Sequence, residues 1–91
     1  MISRVGIVGG GIMGSGIAEV CARAGLDVTI VESTTATAGL ALERVRRSLE
    51  KAVDRGKLEP EAATRATALV RSSADIAELA DHQLVVEAVV E

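Results

Sequence analysis

A glycine-rich run lies between an apolar segment, Arg4–Val8, and a helical pattern, and it reads Gly9-Gly10-Gly11-Ile12-Met13-Gly14. Glycines at this spacing, after a strand and before a helix, are typical of a turn that binds the pyrophosphate of a dinucleotide. Gly9 would permit the tight turn, Gly11 the close approach of a phosphate, and Gly14 the packing of helix against strand. Unpaired N–H groups at the helix start would attract the anion. All six residues are therefore predicted to contact a dinucleotide.

A single carboxylate, Glu32, follows the second predicted strand, Asp27–Val31. It could accept hydrogen bonds from both hydroxyls of an adenosine ribose, whereas a 2′-phosphate would meet a like charge. The following Ser33-Thr34-Thr35 contains no arginine to neutralise such a phosphate. NAD rather than NADP is therefore the predicted cofactor, although a solvated acidic strand end is the alternative interpretation.

One face of a long helical pattern is basic. Three cations and one hydroxyl share this face at positions i, i+4, i+7 and i+11, and they are Arg44, Ser48, Lys51 and Arg55. This basic stripe could bind a phosphate-rich ligand such as the nucleotide end of coenzyme A. It could equally be a solvated face whose cations pair with Glu43 and Glu50. The residues alone leave both interpretations open.

The only histidine and the only cysteine, His82 and Cys21, are not predicted to be catalytic. His82 precedes the last predicted strand, at the edge of the sheet opposite the glycine turn, so we expect it on the surface. Cys21 is expected on the buried face of the first helix, with Met13, Ile17, Val20 and Ala24. A lone cysteine forms neither an internal disulfide nor a multi-cysteine metal site, and no metal site is predicted.

The overall composition narrows the class of protein. The 91 residues carry a net charge of −3 and contain no Phe, Tyr or Trp. A nucleic-acid partner is not expected, because such proteins are usually basic and stack aromatic rings on bases. No apolar run approaches the ~20 residues that span a bilayer, and no signal peptide is evident. We expect a soluble cytoplasmic protein, in keeping with the single cysteine.

The elements that must position these residues alternate along the chain. A β-α-β unit is predicted from Arg4 to Val31, with its helix ending at Gly25. A helical hairpin follows over residues 35–70, closed at Gly56, and is expected to project from the domain because it exceeds a plain crossover. Short strands are predicted at Ser72-Ser73 and Leu84–Val90. The predicted fold is α/β, the N-terminal part of a Rossmann-type doubly wound parallel sheet with an inserted helical hairpin.

Three segments at matching spacing together resemble the 3-hydroxyacyl-CoA dehydrogenase family, most of all its bacterial 3-hydroxybutyryl-CoA branch: Val5–Ala18, Ser48–Leu58 and Leu84–Glu91. The resemblance covers nearly the whole chain. It implies NAD-dependent interconversion of (S)-3-hydroxyacyl-CoA and 3-oxoacyl-CoA in fatty acid metabolism. It also implies that Glu32 holds the adenosine ribose, that Ala88 and Glu91 lie along the cofactor, and that Ser48 and Arg55 contact coenzyme A. Lys51 joins this set because it lies on the same basic stripe.

The family's catalytic His–Glu pair, its substrate-polarising Ser and Asn, and its helical dimerisation domain would all come after Glu91. We therefore expect residues 1–91 to be the N-terminal part of an NAD-binding domain, with no catalytic residue and no activity alone. The parent enzyme would be a homodimer, and the exposed strand Leu84–Val90 could make the fragment self-associate. Three alternatives remain: a β-hydroxyacid dehydrogenase acting on a free acid, a non-catalytic NAD-sensing module, and a nucleotide-binding subunit of natural length.

Overall fold

Four strands and three α-helices lie within residues 1–89, the part of the chain that the computed structural model describes. The elements are β1 (Arg4–Val8), α1 (Ile12–Arg23), β2 (Asp27–Val31), α2 (Thr35–Asp54), α3 (Pro60–Leu69), β3 (Val70–Ser73) and β4 (Leu84–Glu87). A short 3-10 turn, Ile76–Leu79, lies between β3 and β4.

The four strands form one parallel sheet in the order β3-β2-β1-β4. The chain moves outward from β1 to β3 and then crosses back to place β4 on the other side of β1. Ile7 at the centre therefore lies beside Ile30 on one neighbour and Val86 on the other. This reversal beside β1 is the switch point of a doubly wound sheet, and the α/β Rossmann-type prediction is confirmed.

The core is aliphatic and lies between the sheet and its helices. Alternate residues of β1 and β2 point towards α1 and the hairpin, and their side chains are fully buried: Val5, Ile7, Val28 and Ile30. Val45 and Leu49 of α2 and Ala66 of α3 complete the same cluster. Burying these side chains provides the main driving force for folding.

The buried face of α1 differs from the prediction. Gly14, Ser15, Ala18 and Ala22 face the sheet, whereas Met13 and Val20 are 60% and 69% exposed. Ala24 is exposed as well, and Ile17 and Cys21 lie at the boundary, half-buried against the core. The prediction placed the large apolar side chains of α1 against the sheet. The helix instead packs so close to the sheet that only small residues fit between them.

The helical hairpin is present, with α2 ending at Asp54 and Gly56 adopting a φ of +70°. It does not project as a separate feature, because α3 packs against α1 and both its helices contribute to the core. The tip of the hairpin is exposed from residue 54 to residue 57. The additional length is thus used to cover the helical side of the sheet.

The last strand is shorter than predicted, since β4 ends at Glu87 rather than at Val90. The ladder continues for one further bond, from the Ala88 N–H to the Val8 carbonyl at 2.8 Å. Ala88 then leaves the sheet against Gly9, whose missing Cβ makes room for the Ala88 carbonyl. Val90 lies outside the described residues. β3 is longer than the predicted Ser72-Ser73 pair, because Val70 and Arg71 also join the sheet.

Candidate functional site

A cavity of about 530 Å³ opens at the carboxyl edge of the sheet, where β1, β2 and β4 end. Its lining includes Gly9, Gly11, Glu32, Ser33, Ala88 and Val89. Open α/β sheets bind ligands at this edge, in the crevice at the switch point. The cavity therefore brings together the glycine turn, the acidic strand end and the end of β4, as their positions after parallel strands predict.

The glycine turn is held by close contacts that exclude side chains. Gly9 has a φ of +106°, and a Cβ there would lie 2.7 Å from the Ala88 carbonyl oxygen. A Cβ on Gly14 would overlap the Gly9 carbonyl and lie 3.4 Å from Ile7. The turn is thus tight because helix α1 starts directly against the strand that precedes it.

Gly11 differs from its neighbours because a Cβ there would meet no described atom within 4 Å. It borders the cavity and precedes α1, whose start carries no side-chain cap and no acidic residue in the first turn. The N–H groups of Ile12 and Met13 have no acceptor within the helix and are exposed to an approaching anion. The side chains of Ile12 and Met13 are apolar and exposed, so the polar groups that these two residues offer a phosphate are their backbone N–H groups. The open space and free donors fit a pyrophosphate.

Glu32 borders the cavity at the end of β2 and is half-buried. One carboxylate oxygen, Oε2, accepts a hydrogen bond from the Gly10 N–H. The other oxygen, Oε1, accepts no hydrogen bond from residues 1–89 and is available to a ribose hydroxyl. The carboxylate is therefore tied to the glycine turn and is not merely a solvated strand end.

The start of α2, next to Glu32, is closed by its own residues. Thr34 Oγ1 accepts the Thr37 N–H at 3.0 Å, and Thr37 Oγ1 accepts the Thr34 N–H at 3.2 Å. This capping box satisfies two of the N–H donors at the start of α2, those of Thr34 and Thr37. A 2′-phosphate at this end of β2 would meet the like charge of the Glu32 carboxylate, and the cap leaves fewer N–H donors there to compensate it.

Gly10 has a packing role that the glycine pattern does not reveal. A Cβ at this position would collide with the Ala41 side chain of α2 and lie 3.1 Å from Ile30. Its carbonyl accepts hydrogen bonds from Ser15 Oγ at 2.9 Å and Arg44 Nη1 at 2.8 Å. Sequence reasoning missed Ser15 and placed Arg44 only in the basic stripe. Ser15 reaches Gly10 locally, from the first turn of α1, whereas Arg44 reaches it through the tertiary approach of α2, which the sequence does not display.

The carboxylates that could neutralise the basic stripe are engaged by other arginines. Glu43 pairs with Arg46 at 2.6 Å and with Arg47 at 3.2 Å, while Glu50 lies 3.7 Å from Arg46. Hydrogen bonding and charge from Arg46, with a smaller contribution from Arg47, lower the pKa of the Glu43 carboxyl. Glu43 and Glu50 are thus not the partners of the stripe.

Ser48, Lys51 and Arg55 themselves lie exposed along α2. Among residues 1–89, no carboxylate oxygen lies within 4.0 Å of a cationic nitrogen of Arg44, Lys51 or Arg55. The stripe therefore retains its positive charge, as a phosphate-binding surface requires.

Ala88 and Glu91 were predicted to lie along the cofactor. Ala88 is buried at the cavity wall, beside Gly9. Glu91 lies outside the described residues. The end of β4 thus reaches the cavity through Ala88 and Val89.

His82 is not a surface residue, and that prediction is wrong. Its side chain is only 6% exposed, because it lies against the sheet with Nε2 2.9 Å from Thr29 Oγ1. Nδ1 lies 3.0 Å from Asp81 Oδ1. The hydrogen-bonded chain of carboxylate, imidazole and hydroxyl resembles a nucleophilic triad. Thr29 is only 2% exposed, however, so no substrate carbonyl can reach it. The arrangement is structural.

Other kinds of site find no support in the described part of the chain. Residues 1–89 contain no group of three His, Cys, Asp or Glu side chains that could hold a metal ion. None of the helices in the same range is both long and apolar enough to cross a bilayer. Cys21 is half-buried against the core.

Comparison with known proteins identifies a family. Residues 4–91 match the family model described as 3-hydroxyacyl-CoA dehydrogenase, NAD binding domain. A 3-hydroxybutyryl-CoA dehydrogenase of Mycobacterium tuberculosis is 50% identical over 90 residues. That alignment covers 99% of this chain but 32% of the relative. A peroxisomal fatty acid beta-oxidation multifunctional protein of Arabidopsis thaliana is 33% identical over 99% of this chain and 12% of its own length.

Solved structures share the fold closely. FadB2 of M. tuberculosis superimposes with a TM-score of 0.95 at 50% identity, over 99% of this chain and 32% of that protein. The 3-hydroxybutyryl-CoA dehydrogenase of Escherichia coli gives 0.94 at 34% identity, over 100% and 19% respectively. The chain thus spans about a third or less of the length of these relatives.

Proposed function

Because the chain belongs to the family of 3-hydroxyacyl-CoA dehydrogenase NAD-binding domains, we propose that it serves an enzyme that interconverts (S)-3-hydroxyacyl-CoA and 3-oxoacyl-CoA. The proposed substrate is 3-hydroxybutyryl-CoA, the compound in the names of the 50% and 34% identical relatives. The observation that carries the proposal is the cavity at the carboxyl edge, where a free helix start and a carboxylate face the same space.

The proposed cofactor is NAD, and its two ends would be held by different elements. The backbone from Gly9 to Gly14 would hold the pyrophosphate, since Gly11 leaves space there and the start of α1 supplies uncapped donors. Glu32 Oε1 would accept the ribose hydroxyls while Oε2 remains bonded to Gly10. Ala88 would form the apolar wall beside the pyrophosphate, and Glu91 is proposed as a further polar contact.

The proposed coenzyme A contacts are Ser48, Lys51 and Arg55. They follow one face of α2, and the helix rise places Ser48 about 10 Å from Arg55. That distance lets one hydroxyl and two cations engage different phosphates of a single nucleotide. The support is electrostatic, because the nearby Glu43 and Glu50 pair with other arginines.

In the proposed reaction, bound NAD supplies the hydride acceptor or donor at its nicotinamide ring. The described residues bind and orient both ligands, but none of them is placed to abstract the substrate hydroxyl proton: His82 is buried against Thr29 at the other side of the sheet. We therefore propose that residues 1–91 form the N-terminal part of the NAD-binding domain and do not turn over substrate alone. We also propose a homodimeric parent enzyme in the cytoplasm, with neither nucleic-acid nor membrane partners.

Titration with NADH tests the cofactor proposal directly. The chain has no aromatic residue, so nicotinamide fluorescence can be followed without protein emission. We expect saturable NADH binding and at least tenfold weaker NADPH binding, since removal of one charge-assisted hydrogen bond costs about 1.5–3 kcal/mol. Glu32→Gln should reduce this preference, whereas Glu61→Gln on exposed α3 should preserve it. Equal affinity for both cofactors would contradict the role of Glu32.

An activity assay tests whether the chain binds the cofactor without catalysing the reaction. With acetoacetyl-CoA and NADH, the 91-residue chain should show no turnover while binding NADH normally. Turnover comparable to that of an intact dehydrogenase would refute the absence of a catalytic group. Failure to bind NADH would instead refute the assignment of the cavity.

A further inference from the structure

The peptide between Gly10 and Gly11 is held from the helical side of the fold. The Gly10 carbonyl accepts two hydrogen bonds there, from Ser15 Oγ at 2.9 Å and from Arg44 Nη1 at 2.8 Å. Ser15 is buried in α1, whereas Arg44 reaches the turn from α2. Two donors on a single carbonyl leave that oxygen little freedom to rotate.

The orientation of this carbonyl determines the direction of the next N–H. A trans peptide is planar, and its C=O and N–H bonds point in opposite directions. Because the Gly10 oxygen is directed towards Ser15 and Arg44, the Gly11 N–H is directed away from them, towards the side of the cavity that Gly11 borders. Within residues 1–89 this N–H has no hydrogen-bond acceptor. It is therefore a donor available to the pyrophosphate.

The charge of Arg44 is also available. Glu43, its neighbour in sequence, is engaged by Arg46 and Arg47. Arg44 has no carboxylate partner in the described part of the chain, and its guanidinium lies on the Gly10-carbonyl side of the turn, opposite the cavity that Gly11 borders. The uncompensated charge strengthens the hydrogen bond to the Gly10 carbonyl, so Arg44 acts on the site through the Gly10–Gly11 peptide and not by contact with the phosphates.

We propose that Arg44 is a positioning residue of the pyrophosphate site, which sets the direction of the Gly11 N–H through its hydrogen bond to the Gly10 carbonyl. This inference rests on the proposed binding of NAD. It assigns to α2 a part in dinucleotide binding besides the contacts proposed for its basic stripe. The glycine pattern alone does not provide this contact, because the donor comes from outside the β-α-β unit.

The test compares Arg44→Met with Arg65→Met, an equal loss of charge on exposed α3. We expect Arg44→Met to weaken NADH and ADP binding roughly tenfold, the effect of losing one charge-assisted hydrogen bond. Adenosine, which lacks the phosphates, should bind within twofold of the unmodified chain. Arg65→Met should change none of the three affinities, and Arg44→Lys should recover part of the loss.

Two further measurements separate positioning from charge and from general damage. In about 1 M NaCl, where the Debye length is about 3 Å, the Arg44→Met deficit should persist. At NADH saturation, the Gly11 amide proton should shift less in Arg44→Met than in the unmodified chain. Disappearance of the deficit in salt, an unchanged Gly11 shift, or an equal loss of adenosine binding would each overturn the proposal. If the unmodified chain fails to bind NADH, the proposed function fails. If Arg44→Met binds NADH as tightly as the unmodified chain does, only this inference fails.

Discussion

The imidazole of His82 anchors the connection between β3 and β4 to the sheet through a hydrogen bond of 2.9 Å between Nε2 and the Thr29 hydroxyl. Asp81, on the other ring nitrogen, also pairs with Arg4 at the start of β1. Beside it, Leu79 packs into the space left by the absent side chain of Gly6. This side of the sheet is thus covered by a short connection that depends on a few specific contacts.

We expect His82→Ala to lower the free energy of unfolding by about 1–3 kcal/mol, because the buried Thr29 hydroxyl would lose its partner. Urea unfolding followed by far-ultraviolet circular dichroism measures this change. NADH affinity of the folded variant should remain within twofold, since His82 precedes β4 at the opposite edge from the cavity. Lys57→Ala at the exposed hairpin tip is the control. A large loss of NADH affinity without loss of stability would give His82 a role in the site.

Gly10 and Gly16 should respond in opposite directions to alanine. In Gly10→Ala the new methyl would collide with Ala41, whereas in Gly16→Ala it would meet no described atom within 4 Å. We expect Gly10→Ala to destabilise by about 1–3 kcal/mol through overpacking, and Gly16→Ala to stabilise by up to about 1 kcal/mol through helix propensity.

The double variant Gly10→Ala/Ala41→Gly identifies the cause. Removing the Ala41 methyl should restore part of the lost free energy, although glycine within α2 itself costs about 1 kcal/mol. The comparison is made from the urea midpoints of the unmodified chain, Gly10→Ala, Ala41→Gly and the double variant. If Gly10→Ala lowers the free energy of unfolding equally in the unmodified chain and in Ala41→Gly, the collision is not responsible.

The sequence predicts the sheet, its helices and most of the site because these depend on local patterns. Three glycines at fixed spacing and a carboxylate after β2 indicate where the chain turns and where the proposed dinucleotide would bind. The packing of α2 on the turn is different: Ala41, Arg44 and Gly10 are far apart in sequence, and their contact depends on the angle of a helix. The prediction for His82 is wrong for the same reason, since its partner Thr29 lies in β2, far from it in sequence.

Phosphate binding by the basic stripe predicts a specific loss of coenzyme A affinity. Lys51→Met and Arg55→Met should each weaken coenzyme A binding roughly three- to tenfold, the cost of one exposed charge-assisted contact. Arg47→Met, on the same helix but paired with Glu43, should have less than a twofold effect. Isothermal titration at two salt concentrations measures the affinities. Equal effects of all three variants would indicate general electrostatic attraction rather than a site.

The ion pairs of Glu43 predict its titration. Because Arg46 lowers the pKa of this carboxyl from its ordinary value of 4.5, with a smaller contribution from Arg47, the pairing stabilises the folded state above that value. The contribution is lost as the pH falls through the lowered pKa of the folded state. Carboxyl NMR should show a larger rise in this pKa for Arg46→Met than for Arg47→Met. The reverse order would show that Arg47 is the main partner.

The free edge of β4 predicts self-association of the isolated chain. Among the described strands β4 pairs only with β1, and Leu84 and Val85 are 43% and 49% exposed. An unpaired apolar strand favours pairing with a second copy, and a lysine placed on it opposes that pairing. Sedimentation velocity should therefore show a concentration-dependent increase in mass that Val85→Lys suppresses. Val20→Lys, at an exposed apolar position of α1, should not suppress it. A monomer at every concentration, or equal suppression by both lysines, would exclude association through β4.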